Sequence, residues 1–196
     1  MPDTEHEGVS VSQLLLIEYA QVKDEQKARI GFRDNLLYAT LAAMAAVIAA
    51  ALQGPARVAL LLLLPPVCLI LGWTYLVNDQ KISAIGRYVS TELTPRLAAV
   101  TPFRQGEFGP GAFGSGVFGW EVAHRSDRRR RSRKWLQLFV DLLTFCGASL
   151  AALTVFWVAG RTSAALLAVS LVECAAVVAL AVQISVYADL STGAQR

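Results

Sequence analysis

The sequence predicts an all-α membrane protein: a four-transmembrane-helix bundle of two antiparallel hairpins with cytoplasmic helical extensions. Two observations carry this. Of the 196 residues, 55% are hydrophobic and only 17% are charged, whereas ordinary soluble domains hold about 45–50% apolar and about 25% charged residues. The charges are also segregated, leaving four long runs almost free of them, which is how a bilayer partitions a chain.

Residues 1–35 read as a cytoplasmic N-terminal amphipathic helix. The stretch Ser12–Asn35 lacks proline and has one glycine, Gly31. Glu25 stands four residues before Arg29, the favourable order for a surface pair on a helix. Leu15, Tyr19, Val22 and Ile30 lie near one face, interrupted by Gln26. The start has no basic stretch ahead of an early apolar run, so a cleaved secretory signal is not expected.

Residues 36–77 form the first predicted transmembrane hairpin. Leu36–Gln53 is uncharged and covers roughly 27 Å as a helix, enough for a bilayer core. Val58–Val77 is also uncharged, and Gly54-Pro55 makes the tight turn between the two. Pro65 and Pro66 fall midway along the second run, where they predict a kink and a candidate hinge. Ala39, Ala42, Ala43, Ala46, Ala49 and Ala50 form a small-residue stripe expected to let helices of this chain approach closely, and to serve oligomerisation second.

Residues 78–134 form the cytoplasmic middle: a helix, a Gly/Phe loop and a basic helix. Ile82, Ile85, Val89 and Leu93 recur at helical spacing, so the second span continues as an amphipathic helix that ends before Thr94-Pro95. Between residues 101 and 120, Phe103, Phe108, Phe113 and Phe118 alternate with glycines and prolines. That punctuation makes a loop, whose rings cover the bundle, enter the lipid interface or dock a partner. Gly109–Gly114 spells GxGxxG, but no strand precedes it and Pro110 interrupts it, so no nucleotide is expected there. Arg125, Arg128, Arg129, Arg130, Arg131, Arg133 and Lys134 form a basic run leading into the third span. It reads as a topology anchor and as a candidate site for anionic lipid headgroups. A cluster tied to the bilayer is poorly placed to follow a duplex, so nucleic acid is not an expected partner.

Residues 135–188 form the second predicted hairpin, with a tail at 189–196. Trp135–Ala159 is interrupted by Asp141, and Thr162–Ala188 by Glu173. Gly160 suits a helix C-cap, and Thr162 or Ser163 the next N-cap. Ionisable residues inside a span are costly and are functional candidates by default. Asp141 is expected to find a hydrogen bond from Gln183 on the fourth span, from Arg133 or Lys134, or from water. Glu173 has no basic partner at its depth, so it is either held protonated or faces water in an oligomeric pore. Asp141, Glu173 and Gln183 are therefore the candidate ion-pathway residues. Ala164, Ala168, Ala175 and Ala179 repeat the small-residue pattern on the fourth span.

Orientation follows from the basic residues. Of 18 Lys and Arg, four precede the first span, eleven lie between the hairpins, and Arg196 follows the last. Only Arg57 and Arg161 mark the hairpin tips. Positive charge stays on the cytoplasmic side, so both termini are expected inside, in the cytoplasmic (inner) membrane. Catalysis has little support. The two histidines, His6 and His124, lie outside the spans, a second intramembrane aspartate is missing, and no paired metal-ligand spacing occurs. Cys68, Cys146 and Cys174 sit in apolar runs without CxxC spacing and read as small buried residues. No cofactor, metal or enzymatic activity is expected.

Three segments carry a resemblance: EYAQVKDEQKARIGFRDN at 18–35, LGWTYLVNDQKIS at 71–83 and FGWE at 118–121. The chain resembles small bacterial multi-pass membrane proteins of actinobacterial type, for which no activity is there to transfer. In architecture it is also similar to multi-span effectors of bacterial conflict systems. The expected function is non-enzymatic: anchoring or receiving a cytoplasmic protein partner through residues 10–35 and 79–133. The rival is a homo-oligomeric pore using Glu173.

Overall fold

The computed structural model describes residues 10–100, 130–159 and 163–188. The described residues are helical almost throughout. Helix α1 is Val11–Ala51. A 3-10 helix, Pro55–Leu63, leads into α2, Leu64–Tyr88. A π-helical turn, Val89–Leu93, joins α2 to α3, Thr94–Val100. Helix α4, Arg130–Asp141, passes through a second π turn, Leu142–Gly147, into α5, Ala148–Ala159. Helix α6 is Ala164–Tyr187. Four helical stretches are long and apolar enough to cross a membrane: Val11–Ala51, Arg57–Val100, Lys134–Ala159 and Ala164–Tyr187. The chain is a multi-pass, all-α membrane protein built on a four-helix bundle.

The contacts divide the chain into two compact units. One takes in 31–80 and 129–196, and holds the apolar spans. Its centre joins all four: Leu36 of α1, Tyr75 and Leu76 of α2, Leu138 of α4, Phe145 and Cys146 of the π turn, and Val177, Leu180 and Ile184 of α6. A second cluster packs Ala51 against Leu61, Leu64, Cys68 and Ala152, and a third packs Leu62 against Leu153 and Phe156. Gly72 sits at the tightest point, facing Phe145 and Leu180.

The other unit takes in 1–30 and 81–128. Its described core is small: Val89, Leu93 and Leu97, against which Leu15, Tyr19, Val22, Ile85 and Tyr88 pack. The Tyr88 hydroxyl donates to the Glu18 carboxylate. Helix α1 opens on a capping box, in which Gln13 N–H donates to Ser10 Oγ at 3.2 Å and Ser10 N–H to Gln13 Oε1 at 3.1 Å. On its surface Arg29 Nη2 meets Glu25 Oε1 at 2.6 Å, in the (i, i+4) order expected.

Three expectations change. The helix after span two does not end before Thr94-Pro95; it continues to Val100. Proline clashes with the carbonyl four residues back in an α-helix. The π turn just before Pro95 widens the backbone, and Thr94 bonds the Val89 carbonyl with both its backbone N–H and its Oγ1, the latter at 2.7 Å. Pro65 and Pro66 do not kink a helix interior. They fall in the first turn of α2, directly after the 3-10 segment, where a missing N–H costs nothing. The alanine stripes, finally, point outward. Leu36, Thr40 and Ala51 are the buried residues of α1, while Ala39, Ala42, Ala46 and Ala49 are exposed. On α6 the buried face is Ser170, Val177, Leu180 and Ile184, leaving Ala164, Ala168, Ala175 and Ala179 exposed.

Candidate functional site

Six polar side chains of the span-bearing unit gather at one place. Helix α1 supplies Arg33 and Asp34, three and two residues ahead of the first apolar run. Helix α2 supplies Tyr75 and Asp79, which share its inward side one turn apart. Helix α4 supplies Gln137 and Asp141, again one turn apart. Arg33 Nη1 donates to Asp79 Oδ1 at 3.0 Å, and Arg33 Nε lies 3.6 Å from Asp34 Oδ1. The Gln137 amide donates to Asp141, at 3.2 Å to Oδ1 and 3.4 Å to Oδ2, and also to the Tyr75 hydroxyl oxygen. The Tyr75 ring packs on Phe145, with centroids 5.2 Å apart at 48°.

Asp141 is 9% exposed and stands at the step from α4 into the π turn. Such turns recur at functional sites because one widened turn re-aims the side chains beside it. Around these residues opens a cleft of about 350 Å³, lined by Arg33, Asp34, Leu37, Tyr75, Leu136, Gln137, Val140 and Asp141. Its lining mixes polar with apolar side chains.

No family model matches the chain, and no curated protein or solved structure matches it either. The likeness read from the three sequence segments therefore brings no family and no residue roles to this cleft.

The structure brings Asp141 together with Gln137, not with Gln183. A residue four positions away on the same helix is a built-in neighbour, whereas Gln183 would have to reach from another helix. Gln183 is half-buried on α6. Glu173 lies elsewhere on α6, and its Oε2 is buried with no hydrogen-bond partner. Arg33, Asp34, Tyr75, Asp79 and Gln137 were not candidates from the sequence. A usable signal existed in the Gln137/Asp141 spacing, but nothing in sequence spacing pairs Arg33 with Asp79.

Among the basic run, Arg125, Arg128 and Arg129 lie outside the described residues, as do the Gly/Phe loop and the GxGxxG stretch. Arg130, Arg131 and Arg133 fall within α4, and Lys134 is half-buried there. Ser163 is the N-cap of α6, accepting from Leu166 N–H at 3.3 Å. Trp157 Nε1–H donates to Ser170 Oγ at 2.9 Å, closing α5 onto α6. Cys68 and Cys146 are buried thiols and Cys174 is half-buried. Among the described residues, no three His, Cys, Asp or Glu side chains converge to hold a metal ion.

Proposed function

We propose that the chain is a non-enzymatic protein of the cytoplasmic membrane, with both termini inside, whose smaller helical unit receives a cytoplasmic protein partner. The observation that supports this most is the start of α1. Val11, Leu14, Leu16 and Ile17 are 63%, 54%, 57% and 57% exposed, while Leu15 alone of the Leu14–Ile17 run packs into the small core. A helix that is apolar all round is normally covered all round, and clustered exposed apolar side chains mark contact surfaces. Here the described residues cover one side of it. The excess of Lys and Arg around and between the hairpins supports the inside placement, and the basic run beside span three favours anionic headgroups. The outward alanine faces of α1 and α6 support a homo-oligomer, because small residues let helices meet closely in lipid.

A photo-crosslinking residue placed at Ile17 in cells tests the partner. A discrete adduct of higher mass is expected at Ile17 and not at Lys27, whose side chain is 78% exposed on the charged part of the same helix. The same adducts at both positions, or at neither, would sink the reading.

One observation favours a second reading, the oligomeric pore: the unpartnered Oε2 of Glu173. A carboxylate without a partner inside a span is costly, and water in a shared pore would satisfy it. In liposomes holding the purified protein, a pore predicts ion flux that Glu173→Gln abolishes. Flux that is absent in the wild type, or unchanged in the variant, counts against it.

A further inference from the structure

A second hollow, sharing no residue with the polar cleft, lies between the end of α1, the 3-10 helix and α5. Its volume is about 340 Å³. Of the residues that line it, Leu61, Leu64 and Ala152 are buried, whereas Ile48, Leu52 and Val155 are exposed. It is therefore a groove in the outer surface of the spans, not an enclosed cavity.

The sequence explains why the helices leave this gap. Runs of 3-10 helix beyond three or four residues are uncommon, yet Pro55–Leu63 holds nine. A 3-10 helix is wound tighter than an α-helix and is slimmer. Against it stand Ala51 of α1 and Ala148, Ala151 and Ala152 of α5. A slim helix facing methyl side chains does not close the space, although packed proteins leave few voids larger than a water.

The lining and the length narrow what fills the groove. Every lining side chain is apolar, so water finds no hydrogen-bond partner there. Ala148 to Val155 is seven residues of α5, or about 10 Å. Val58 to Leu64 is six residues of the 3-10 segment, or about 12 Å. The 3-10 helix starts at the hairpin tip and α5 runs antiparallel to it, pairing Leu62 with Leu153 and Phe156, and Leu64 with Ala152. Val58 and Val155 thus mark the end near the tip, and Leu64 and Ala148 the deep end. A whole helix about 10 Å wide takes about 800 Å³ over this length and does not enter. A single hydrocarbon chain does.

A cation stands at the tip end. Arg57 directly precedes Val58, and its Nη1 donates to Oε1 of Gln53, which directly follows Leu52. The guanidinium is thereby held at the turn where two lining segments meet. That bond uses one of its five N–H donors. Guanidinium pairs with phosphate through charge-assisted, often bidentate hydrogen bonds, and a hairpin tip lies where the hydrocarbon core gives way to headgroups.

We propose that the groove is a phospholipid site, with one acyl chain lying along α5 from Val155 to Ala148 and the phosphate on Arg57. The site needs neither the cytoplasmic partner nor the pore, and it survives the failure of either reading.

The test uses the full-length protein in detergent, titrated by native mass spectrometry with phosphatidylglycerol and with diacylglycerol of the same chains. The wild type is expected to hold a single phosphatidylglycerol about tenfold tighter than diacylglycerol, near the lower end of what hydrogen bonds to a charged group contribute. Arg57→Gln brings the two affinities together. Ala151→Phe, at an exposed lining residue, fills the groove and removes the tight site for both lipids. Val172→Phe, at a residue 70% exposed on α6 and outside the groove, leaves both affinities unchanged. Equal affinity for the two lipids in the wild type overturns the phosphate contact. Binding that Ala151→Phe leaves intact shows general surface lipid only and overturns the groove as its site. A loss of oligomers in Ala151→Phe without a change in lipid binding makes a second copy the occupant and also overturns the proposal.

Discussion

Among the described glycines, Gly72 is the one whose replacement by valine is expected to loosen the membrane bundle most. A Cβ placed on Gly72 lies 2.9 Å from Phe145 Cγ and 3.0 Å from both Phe145 Cδ1 and Leu180 Cδ2. Neither neighbour has room to retreat, since Phe145 is 0% and Leu180 2% exposed. Overpacking of this kind costs about 1–3 kcal/mol, and valine adds two methyls beyond the Cβ, which favours the upper end. In detergent, the thermal midpoint of the purified variant falls well below that of the wild type. Gly31→Ala is the control, because a Cβ there meets nothing within 4 Å. Equal midpoints for Gly72→Val and the wild type would mean that α2 does not approach the π turn and α6 this closely.

Leu93→Ala is expected to melt the smaller unit selectively. Leu93 is 0% exposed, and among the described residues it shares its cluster with Val89 and Leu97 as the buried members. Emptying a leucine site costs about 2–5 kcal/mol, and a core this small has little left to compensate. Hydrogen exchange is expected to quicken over residues 11–30 and 81–100 while 64–80 and 148–159 keep their protection. Uniform protection in the variant would show that the cluster contributes little. Exchange rising equally everywhere would show that the two units do not unfold separately.

The four spans are legible in the sequence because lipid tolerates almost no charge, so runs of 18 or more residues with at most one charge leave few alternatives. The stripe on residues 15–22 and 85–93 is legible for a similar reason: water sorts one face from the other. Inside the bilayer that sorting stops. Lipid is as apolar as the core, so composition does not say whether Ala42 or Thr40 faces inward, and the alanine stripe misleads. Thr94-Pro95 reads as a helix end because proline rules describe α geometry, and a π turn sidesteps them. Asp141 stands out as an intramembrane acid. Its setting with Arg33, Tyr75 and Asp79 depends on three helices meeting, which no local pattern records.

Most hydroxyls within the spans bond their own helix. Thr40 Oγ1 donates to the Leu36 carbonyl at 2.7 Å, Ser149 Oγ to Phe145 at 2.8 Å, and Ser170 Oγ to Leu167 at 2.8 Å. Asp141 likewise takes Gln137 from its own helix. During synthesis each of these segments therefore leaves the translocation machinery with such groups already quenched, and none needs its neighbour in place before it enters the lipid. Assembly can follow insertion span by span, with Glu173 the acid whose helix makes no such provision for it.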